Sequence, residues 1–430
     1  MWGPKSIGWV CQQIGTHNLC RNLAPLPVTC IGLADWLTAC RITTVVMEST
    51  GVYWIPLFQI LEARGFAVAL VNARHAKNVP GRPKTDRFDC QWLQRLHSYG
   101  LLASSFRPPE AICQLRSLVR HRDSLLQMSA KHIQHMQKSL DQMNLHLHHV
   151  ISDITGVTGL RIIRAIVAGE RDPRALALYR DYRIKSSEDT IAKALEGDYR
   201  TEHVFTLTQS LALYDFTQQQ ITLCDQEIEH VLDTFDALVD PEVSPIPPPT
   251  TTHRQPQRNE PAFDLRTHLY RITGVDLTQV PGLQAPTIHI VLSEVGLDMS
   301  KWPTDKHFAS WLGLCPDNRI SGGKVLATGS RRVQNRASRA LRMAAQSLRT
   351  SPSYLGAFFR RMRSKLGPAK ATTATAHKLA KILYHMLKEK TPYRERGAEY
   401  YRHKDHERKL RQLRKQAKHL GFDLVPQTSH

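Results

Sequence analysis

Long apolar runs are missing from this chain of 430 residues. No stretch of 18 consecutive apolar residues occurs, so the sequence offers no helix that could span a membrane. The first 30 residues also lack the basic start and the apolar core of a signal peptide. Both absences predict a soluble protein of the cytoplasm without a membrane partner.

Zinc-type cysteine spacing is also missing, although the chain has eight cysteines. The first four, from Cys11 to Cys40, lie about ten residues apart, and the other four are scattered. A chain of this size does not need disulfides to supplement its core. We therefore expect reduced and mostly buried thiols.

Acidic residues are scarce. The chain has 58 Lys and Arg but only 38 Asp and Glu, a formal net charge of +20. Residues 318–388 contain no carboxylate and 16 Lys or Arg. Like charges at neighbouring helical positions repel, so a long span of one sign needs a polyanion to neutralise it. This favours phosphate binding, by nucleic acid more than by an anionic membrane surface, with a merely solvated basic face as the alternative.

The candidate nucleic-acid-binding residues of this span are Lys324, Arg331, Arg332, Arg336, Arg339 and Arg342. Positions 336, 339 and 342 share roughly one helical face. Lys84 is a further candidate in the N-terminal half, and the basic helical tail at 400–420 adds eight cations. Charge alone leaves DNA and RNA both open.

The N-terminal part has the pattern of an α/β domain. Residues 42–48 and 66–72 are β-branched runs, and 55–64 between them has helical spacing. This predicts a strand–helix–strand unit with a parallel strand pair, preceded by a helix at 27–41. The first 26 residues show no strand periodicity and remain unassigned.

The rest of the chain is predicted to be mainly helical. Residues 111–149 and 203–239 have the spacing of long amphipathic helices that form a coiled-coil pair, with mixed, shorter helices between them. Seven prolines in 241–261 indicate a linker. The expected domain limits are 1–26 (unassigned), 27–112 (α/β), 113–240 (helical), 241–262 (linker), 263–395 (C-terminal domain) and 396–430 (basic tail).

Three carboxylates indicate a metal site. Glu48 ends the first strand, at the edge where ligands bind in α/β folds. In KTDRFD, Thr85 is a good helix N-cap, which places Asp86 and Asp89 in the first turn on one face. Such an oxygen-rich set suits Mg²⁺ and phosphodiester chemistry. The alternative is that both aspartates only complement the helix dipole.

A candidate nucleophile lies in the C-terminal half. Ser321 precedes Gly322, Gly323 and Lys324, and the glycines allow close approach of a backbone to phosphate. Such a serine can attack phosphorus while Lys324 offsets negative charge. A flexible-turn serine is the commoner reading of so short a motif.

Residues 273–299 resemble a helix-hairpin-helix. Pro281 and Gly282 stand before a helix, where backbone N–H groups can bind phosphate. Gln284 replaces the usual second glycine, so phosphate contact and a purely structural turn remain equally open.

Ordered blocks across residues 30–425 resemble the DEDD-type transposases of insertion sequences, the IS110 family, which are guided by a structured bridge RNA. The blocks are MESTGVYWIP, LVNARHAKNVPGRPKTDRFDCQWLQRLHSYGLL, SFRPP, TGVDLTQVPG, FASWLGLCP, ISGGKV, NRASRALRMAAQSL and AHKLAKILYHML.

The resemblance implies an RNase H-like (RuvC-like) N-terminal domain that binds Mg²⁺, a coiled-coil segment, and a mainly helical C-terminal domain with a catalytic serine. Glu48, Asp86 and Asp89 match the second, third and fourth acids of the family, and Ser321 matches the nucleophile. The family pattern also implies a homo-oligomer, a dimer or tetramer, in which the acids of one subunit meet the serine of another. DNA, both element ends and target, and a guide RNA are the implied partners, and DNA binding would bring the protein to the bacterial nucleoid.

The family's first acid has no counterpart here. Asp35 is the only carboxylate in residues 1–47, and it lies in a predicted helix too close to Glu48. We expect a truncated or frameshifted gene copy or a misassigned start codon. Three acids should bind Mg²⁺ more weakly than four, so we also expect impaired recombination.

Three functions are compatible with these residues. The first is an RNA-guided DNA recombinase with a serine nucleophile. The second is a catalytically impaired nucleic-acid-binding remnant of such an enzyme. The third is a junction nuclease of the RuvC type that uses metal and water alone, which would still cut DNA without Ser321.

Overall fold

The computed structural model describes residues 7–11, 19–23, 27–49, 51–72, 86–249, 259–327, 329–331, 333–423 and 425. The chain divides into two compact units, Met1–Arg107 and Pro108–His430. Among the described residues, none of the helices combines the length and the apolarity needed to cross a membrane.

The N-terminal unit is α/β. Its elements in chain order are β1 (Ile7–Cys11), β2 (Leu19–Leu23), α1 (Pro27–Ala39), β3 (Thr44–Glu48), α2 (Trp54–Ala63), β4 (Ala67–Val71) and α3 (Asp86–Ser98).

The parallel strand pair predicted from the sequence is confirmed. β3 and β4 run parallel, in register from Thr44 opposite Ala67 to Glu48 opposite Val71. Val45 and Met47 are buried on one face of β3, as the alternation of a half-buried strand requires. Their core partners come from α1 and α2, whose buried side chains include Leu33, Leu37, Leu57 and Leu61.

The antiparallel hairpin of β1 and β2 was not predicted. Residues 7–11 pair with 19–23, from Ile7 opposite Leu23 to Cys11 opposite Leu19. Both strands contain interior Gly, Asn or Arg instead of an alternating apolar pattern. The sequence of these strands therefore lacks the alternation from which a strand is predicted.

The C-terminal unit is mainly helical. Its first part contains α4 (Glu110–Gln142), α5 (Leu147–Val150), α6 (Val157–Ala168), α7 (Pro173–Ala177), α8 (Glu188–Ala194) and α9 (Thr201–Asp233). Helices α4 and α9 pack against each other, which confirms the predicted long pair. The short helices cover one end of the pair, with Met136, Leu140, Ile162 and Ile163 among their fully buried side chains.

The predicted first long helix is too long at its end. It was expected to reach residue 149, but α4 ends at Gln142. Asn144 adopts a left-handed conformation with φ +59°, which turns the chain. Leu145 and Leu147 follow this turn and are fully buried. They extend the apolar pattern of the sequence, although the helix has already ended.

The remaining elements precede and follow the candidate serine along the chain. They are α10 (Leu265–Thr273), a 3₁₀ turn (Leu277–Gln279), α11 (Ala285–Val295), α12 (Asp305–Trp311), β5 (Arg319–Ser321), β6 (Lys324–Ala327), α13 (Arg336–Ser347), α14 (Tyr354–Leu366), α15 (Pro368–Glu389) and α16 (Gly397–His419). Several begin at side chains that accept a backbone N–H, namely Asp264, Thr304, Asn335 and Ser353.

The proline-rich stretch is fastened where the structure describes it. Arg266 donates to the carbonyl of Pro247 at 2.6 Å, and Gln279 donates to that of Pro248 at 3.1 Å. Prolines lack N–H groups but keep their carbonyls, and these two prolines are held through those acceptors.

Six cysteines have described side chains and none of these forms a disulfide, namely Cys30, Cys40, Cys90, Cys113, Cys224 and Cys315. Burial is less complete than expected, since Cys224 is buried and the other five are half-buried. Burial raises the pKa of the Cys224 thiol, with a smaller contribution from Asp225, so this thiol stays protonated at neutral pH.

Candidate functional site

Glu48 lies at the carboxyl end of β3, as predicted, and is half-buried. The next residue fixes this edge, because the Ser49 N–H and its Oγ both donate to the carbonyl of Val71, at 2.9 and 3.2 Å. These two bonds join the carboxyl ends of β3 and β4 next to Glu48.

Asp86 and Asp89 lie in the first turn of α3. Asp89 shares its helical face with Leu93 and Leu96, which are both buried. Asp89 itself is half-buried, with its Oδ1 atom screened from solvent. The backbone of Asp86 begins the helix three residues earlier on the same face, and its side chain lies outside the described part.

The other end of α3 is tied to the start of β3. The Thr44 hydroxyl and the His97 Nε2 are 2.5 Å apart. The helix from His97 back to Asp89 is ~12 Å long, and the strand from Thr44 to Glu48 is ~13 Å long. A helix antiparallel to β3 would therefore bring Asp89 to the level of Glu48.

Among the described side chains, none of the groups of three or more His, Cys, Asp or Glu is arranged to hold a metal ion. The predicted set needs Asp86, whose side chain is not described. The donor chemistry does fit, because three carboxylates on a strand end and a helix start offer the hard oxygen ligands that Mg²⁺ requires.

The two other carboxylates of residues 1–107 are paired with arginines. Asp35 lies in α1 and forms an ion pair with Arg64. Glu62 accepts from Arg107 at 2.6 Å, and that guanidinium also stacks on the Phe58 ring. Asp35 therefore lies in a helix, as the sequence predicted, and its side chain is exposed.

Ser321 stands at the end of β5, beside a two-residue turn. Gly322 and Gly323 have φ of +54° and +75°, the left-handed pair that a tight hairpin of this kind requires. A Cβ built on either glycine meets no atom within 4 Å. Ser321 and Lys324 pair across the turn and are both exposed, so a phosphate can approach the hydroxyl and the ammonium together.

The predicted basic residues divide into two kinds. Arg331 donates to the carbonyl of Ser310 at 3.3 Å and Arg342 to that of Gly313 at 3.4 Å, so both bind backbone at the end of α12. Arg336 pairs with Asp123 at 3.0 Å. Arg339 and Lys324 are exposed and leave their charges to solvent. Lys84 and Arg332 lie outside the described residues.

Two transposase models match this chain. Residues 27–145 match a model described as a transposase of the DEDD, IS110 type. Residues 276–360 match a model of the IS116/IS110/IS902 transposase family. Together they support an insertion-sequence transposase of the IS110 family. Curated proteins gave no match.

The two matched segments contain most of the candidate chemistry. The first includes Glu48, Asp86 and Asp89, and the second includes Ser321 and the basic residues up to 342. Helix α9 and the tail helix α16 lie outside both segments.

The Pro281–Gly282 turn serves helix packing. Gly282 has φ +88°, and a Cβ there would lie 2.9 Å from both the carbonyl oxygen of Ala344 and Cγ of Leu348. A glycine is required because α13 covers it. Asp276 accepts from Arg266 at 2.5 Å and from Thr278, and these bonds outweigh the effect of burial and lower its pKa.

The docking of the basic tail was not predicted. Tyr401 is buried in α16 and lies edge-on to Tyr354, while Arg361 of α14 pairs with Asp405 at 2.9 Å. Glu395 accepts from the N–H groups of Tyr354 and Gly397, which start the two helices. The pair of tyrosines at 400 and 401, inside an otherwise polar helix, was the available signal.

Proposed function

We propose that this transposase cuts and rejoins DNA with Glu48, Asp86 and Asp89 as Mg²⁺ ligands in a RuvC-like domain and Ser321 as the nucleophile. The observation that carries the proposal is the exposed serine at a glycine hairpin turn, inside a matched transposase segment. The strand-end carboxylate and the two helix-start aspartates lie in the other matched segment. Ser321 has no bulky neighbour over its turn, as a group that must reach a phosphodiester requires.

The chemistry assigned to Ser321 is phosphoryl transfer. The Oγ atom attacks a backbone phosphorus, an Oγ–P bond forms, and one P–O bond to deoxyribose breaks. The departing deoxyribose oxygen takes up a proton, and the Oγ proton passes to solvent or to a nearby base. Attack by a hydroxyl of a second strand reverses the step and releases the serine, which exchanges the strands without an external energy source.

The acids and cations supply the electrostatics of this step. Lys324 stands beside the serine and offsets charge that develops on the phosphate. Bound Mg²⁺ would supply further neutralisation of the same phosphate. Without a cation, Glu48, Asp86 and Asp89 would repel the DNA backbone, so the acids and the metal act as one set.

Target choice is assigned to RNA, as the resemblance implies. The exposed cations of 319–365 hold DNA or RNA by its phosphates, and base pairing with a structured guide reads the sequence. Homo-oligomers in which the acids of one subunit meet Ser321 of another complete the proposal, and DNA-bound protein would be found at the nucleoid.

A second candidate is a nucleic-acid-binding remnant without cleavage activity. The ion pairs of Asp35 with Arg64 and Glu62 with Arg107 favour it, because they engage two of the five carboxylates of residues 1–107. This candidate keeps the basic surface and predicts DNA binding without cutting.

The test is covalent capture of DNA. Wild-type protein, Ser321→Ala and the control Ser364→Ala, an exposed helical serine, are incubated with labelled element-end DNA, guide RNA and Mg²⁺. We expect protein–DNA adducts with the wild type and the control and none with Ser321→Ala. Cutting by Ser321→Ala would support a metal-only nuclease, and binding without cutting by the wild type would support the remnant.

A further inference from the structure

The loop between helices α7 and α8 holds large apolar side chains in solvent. It consists of residues 178–187, which we call the tyrosine loop, and it lies outside both matched transposase segments. Tyr182 is 85% exposed, Leu178 72% and Tyr179 41%. Such exposed side chains contribute little to folding, and their grouping on one loop is typical of a binding surface.

The tip of the tyrosine loop is a closed turn. The Ile184 N–H donates to the carbonyl of Asp181 at 3.0 Å, which makes Tyr182 and Arg183 the central residues of a β-turn. The Asp181 N–H in turn donates to the Thr158 hydroxyl of α6 at 2.9 Å. The turn that carries Tyr182 is therefore fastened to a helix of the fold.

Arg180 holds the second half of the same loop. Its guanidinium donates to the carbonyls of Ile184 and Ser186, at 2.6 and 2.7 Å. The Ser186 hydroxyl donates to the carbonyl of Val150 at 2.7 Å, and the half-buried Ile184 packs on the apolar core of the short helices. A ring on a loop that is already ordered can bind a partner at a small cost in conformational entropy.

The charge around the rings is positive. Arg183 lies over the Tyr182 ring, 5.6 Å from its centroid, and binds Asp181 at 2.9 Å. Hydrogen bonds from Arg183 and, to a smaller extent, the charge of Arg161 lower the pKa of Asp181, so the one acid of the loop is offset by cations. Lys185 is exposed and adds a further charge.

The acids that follow the loop belong to helix α8. Glu188 and Asp189 lie in its first turn, where they complement the helix dipole, and Asp189 pairs with Lys193 at 3.0 Å. They therefore have a role within the helix and do not remove the positive charge of the turn at Tyr182.

Exposed aromatic rings beside cations suit single-stranded nucleic acid. Unpaired bases stack on aromatic side chains while phosphates take the cations. Duplex DNA keeps its bases stacked inside, whereas a folded RNA presents unpaired bases in its loops and a 2′-hydroxyl that the tyrosine hydroxyls can bind. The tyrosine loop thus fits an RNA loop better than duplex DNA.

We propose that the tyrosine loop binds an unpaired segment of RNA. One base stacks on the face of Tyr182 that Arg183 leaves open, and neighbouring phosphates contact Arg183, Lys185 and Arg161. The identity of this RNA as the guide rests on the proposed function. The stacking itself rests on the exposure, the fixed turn and the charge of the loop.

The first experiment measures binding of a short labelled oligouridylate to the full chain by fluorescence anisotropy. Excess unlabelled duplex DNA occupies the other basic surfaces. Tyr182→Ala should weaken binding roughly tenfold, the usual effect of removing one stacking ring. Tyr99→Ala, an equal change at a tyrosine that is 75% exposed and outside the loop, should leave binding unchanged. Equal effects of the two variants would overturn the proposal.

Two further variants separate base stacking from apolar contact with a protein. Tyr182→Phe keeps the ring and should bind the oligouridylate within about twofold of the wild type, because stacking needs only an aromatic face. Tyr182→Leu keeps apolar area without a ring and should bind as weakly as Tyr182→Ala. Wild-type affinity in Tyr182→Leu contradicts stacking.

Photocrosslinking locates the RNA and identifies its class. An oligomer that contains 4-thiouridine should crosslink to the peptide with residues 179–183, identified by mass spectrometry. The deoxyribose oligomer of the same sequence should compete at least several-fold less well than the RNA. A crosslink only at other peptides, or equal competition by the DNA oligomer, overturns the proposal.

These measurements are independent of the proposed chemistry. They need neither Mg²⁺ nor cleavage, so Ser321→Ala should behave as the wild type in both. Failure of covalent capture would leave them unchanged, whereas a protein that forms DNA adducts but does not bind RNA at the tyrosine loop would overturn this inference alone.

Discussion

Helices α4 and α9 have the same length, 33 residues each, and pack on each other, yet they use their remaining surfaces differently. Helix α4 uses cations to hold the C-terminal helices: Arg116 donates to the carbonyl of Glu294 at 2.7 Å, and Arg120 makes two bonds of 2.8 Å to its carboxylate. Helix α9 turns a charge-free face outward. Polar contacts therefore fasten the amino-terminal part of α4 to the C-terminal helices, while α9 exposes apolar side chains such as Phe216 and Leu223.

The ion pair of Arg122 and Asp225 joins the two helices and should be the most sensitive contact. Both side chains are buried, and Arg122 also donates to the carbonyl of Asn259 at 3.1 Å. Arg122→Met leaves an uncompensated buried carboxylate and should lower the free energy of unfolding by about 3–5 kcal/mol, measured in urea. The double variant Arg122→Met, Asp225→Leu should recover most of that loss, and a double variant as unstable as the single one would contradict this account.

The apolar end of the pair should be nearly as sensitive. Leu140 is fully buried among the side chains of the short helices α5 to α8. Leu140→Ala leaves a cavity and should cost about 2–5 kcal/mol. Hydrogen exchange should speed up in residues 143–199 and not in α13, whereas Met128→Ala, at an exposed position of the same helix, should change neither.

The contact between α4 and α11 should make stability depend on pH. Burial first, and then the charge of Arg122, lowers the pKa of His289 to about 3. In the unfolded chain His289 becomes protonated near pH 6.5, whereas in the folded chain it stays neutral down to about pH 3. The free energy of unfolding therefore falls as pH falls below about 6.5. From pH 7 to pH 5 the loss should be about 2 kcal/mol. His289→Leu should remove this dependence in urea titrations at both pH values, while the exposed-residue control His121→Leu should keep it.

The smallest effect is expected at the solvent-facing ion pair of α9. Arg164 and Asp215 are 3.0 Å apart with both side chains well exposed. Arg164→Gln should cost less than ~1 kcal/mol, because solvent screens the pair. A loss of unfolding free energy as large as that of Arg122→Met would contradict the expectation that a buried ion pair contributes more to stability than an exposed one.

The elements with strong periodicity were predictable. Residues 44–48 and 67–71 form the parallel strands that their β-branched runs indicate, and both 33-residue helices follow their apolar spacing. The β1–β2 hairpin was not predictable, because its backbone pairing is not accompanied by alternating side chains. The end of α4 was misplaced because buried leucines continued the apolar pattern beyond a left-handed Asn144.

The candidate site was predictable by residue type more than by contact. The sequence placed Glu48 at a strand end and Asp86 and Asp89 in a helix start, and the structure has these elements there. It could not show that Arg331 and Arg342 bind carbonyls at the end of α12, since those acceptors lie far away along the chain. Convergence of the three acids and the role of Ser321 stay predictions.

By itself, the sequence determined which segments are helices and strands, where positive charge concentrates, and which residues have the chemistry for phosphoryl transfer, because these properties depend on residue type and local spacing. Only the tertiary structure decided which cations are used within the fold, why Gly282 must lack a side chain, and that one face of α9 stays apolar and uncovered. Those properties depend on which distant residues meet, and distance along the chain does not specify that.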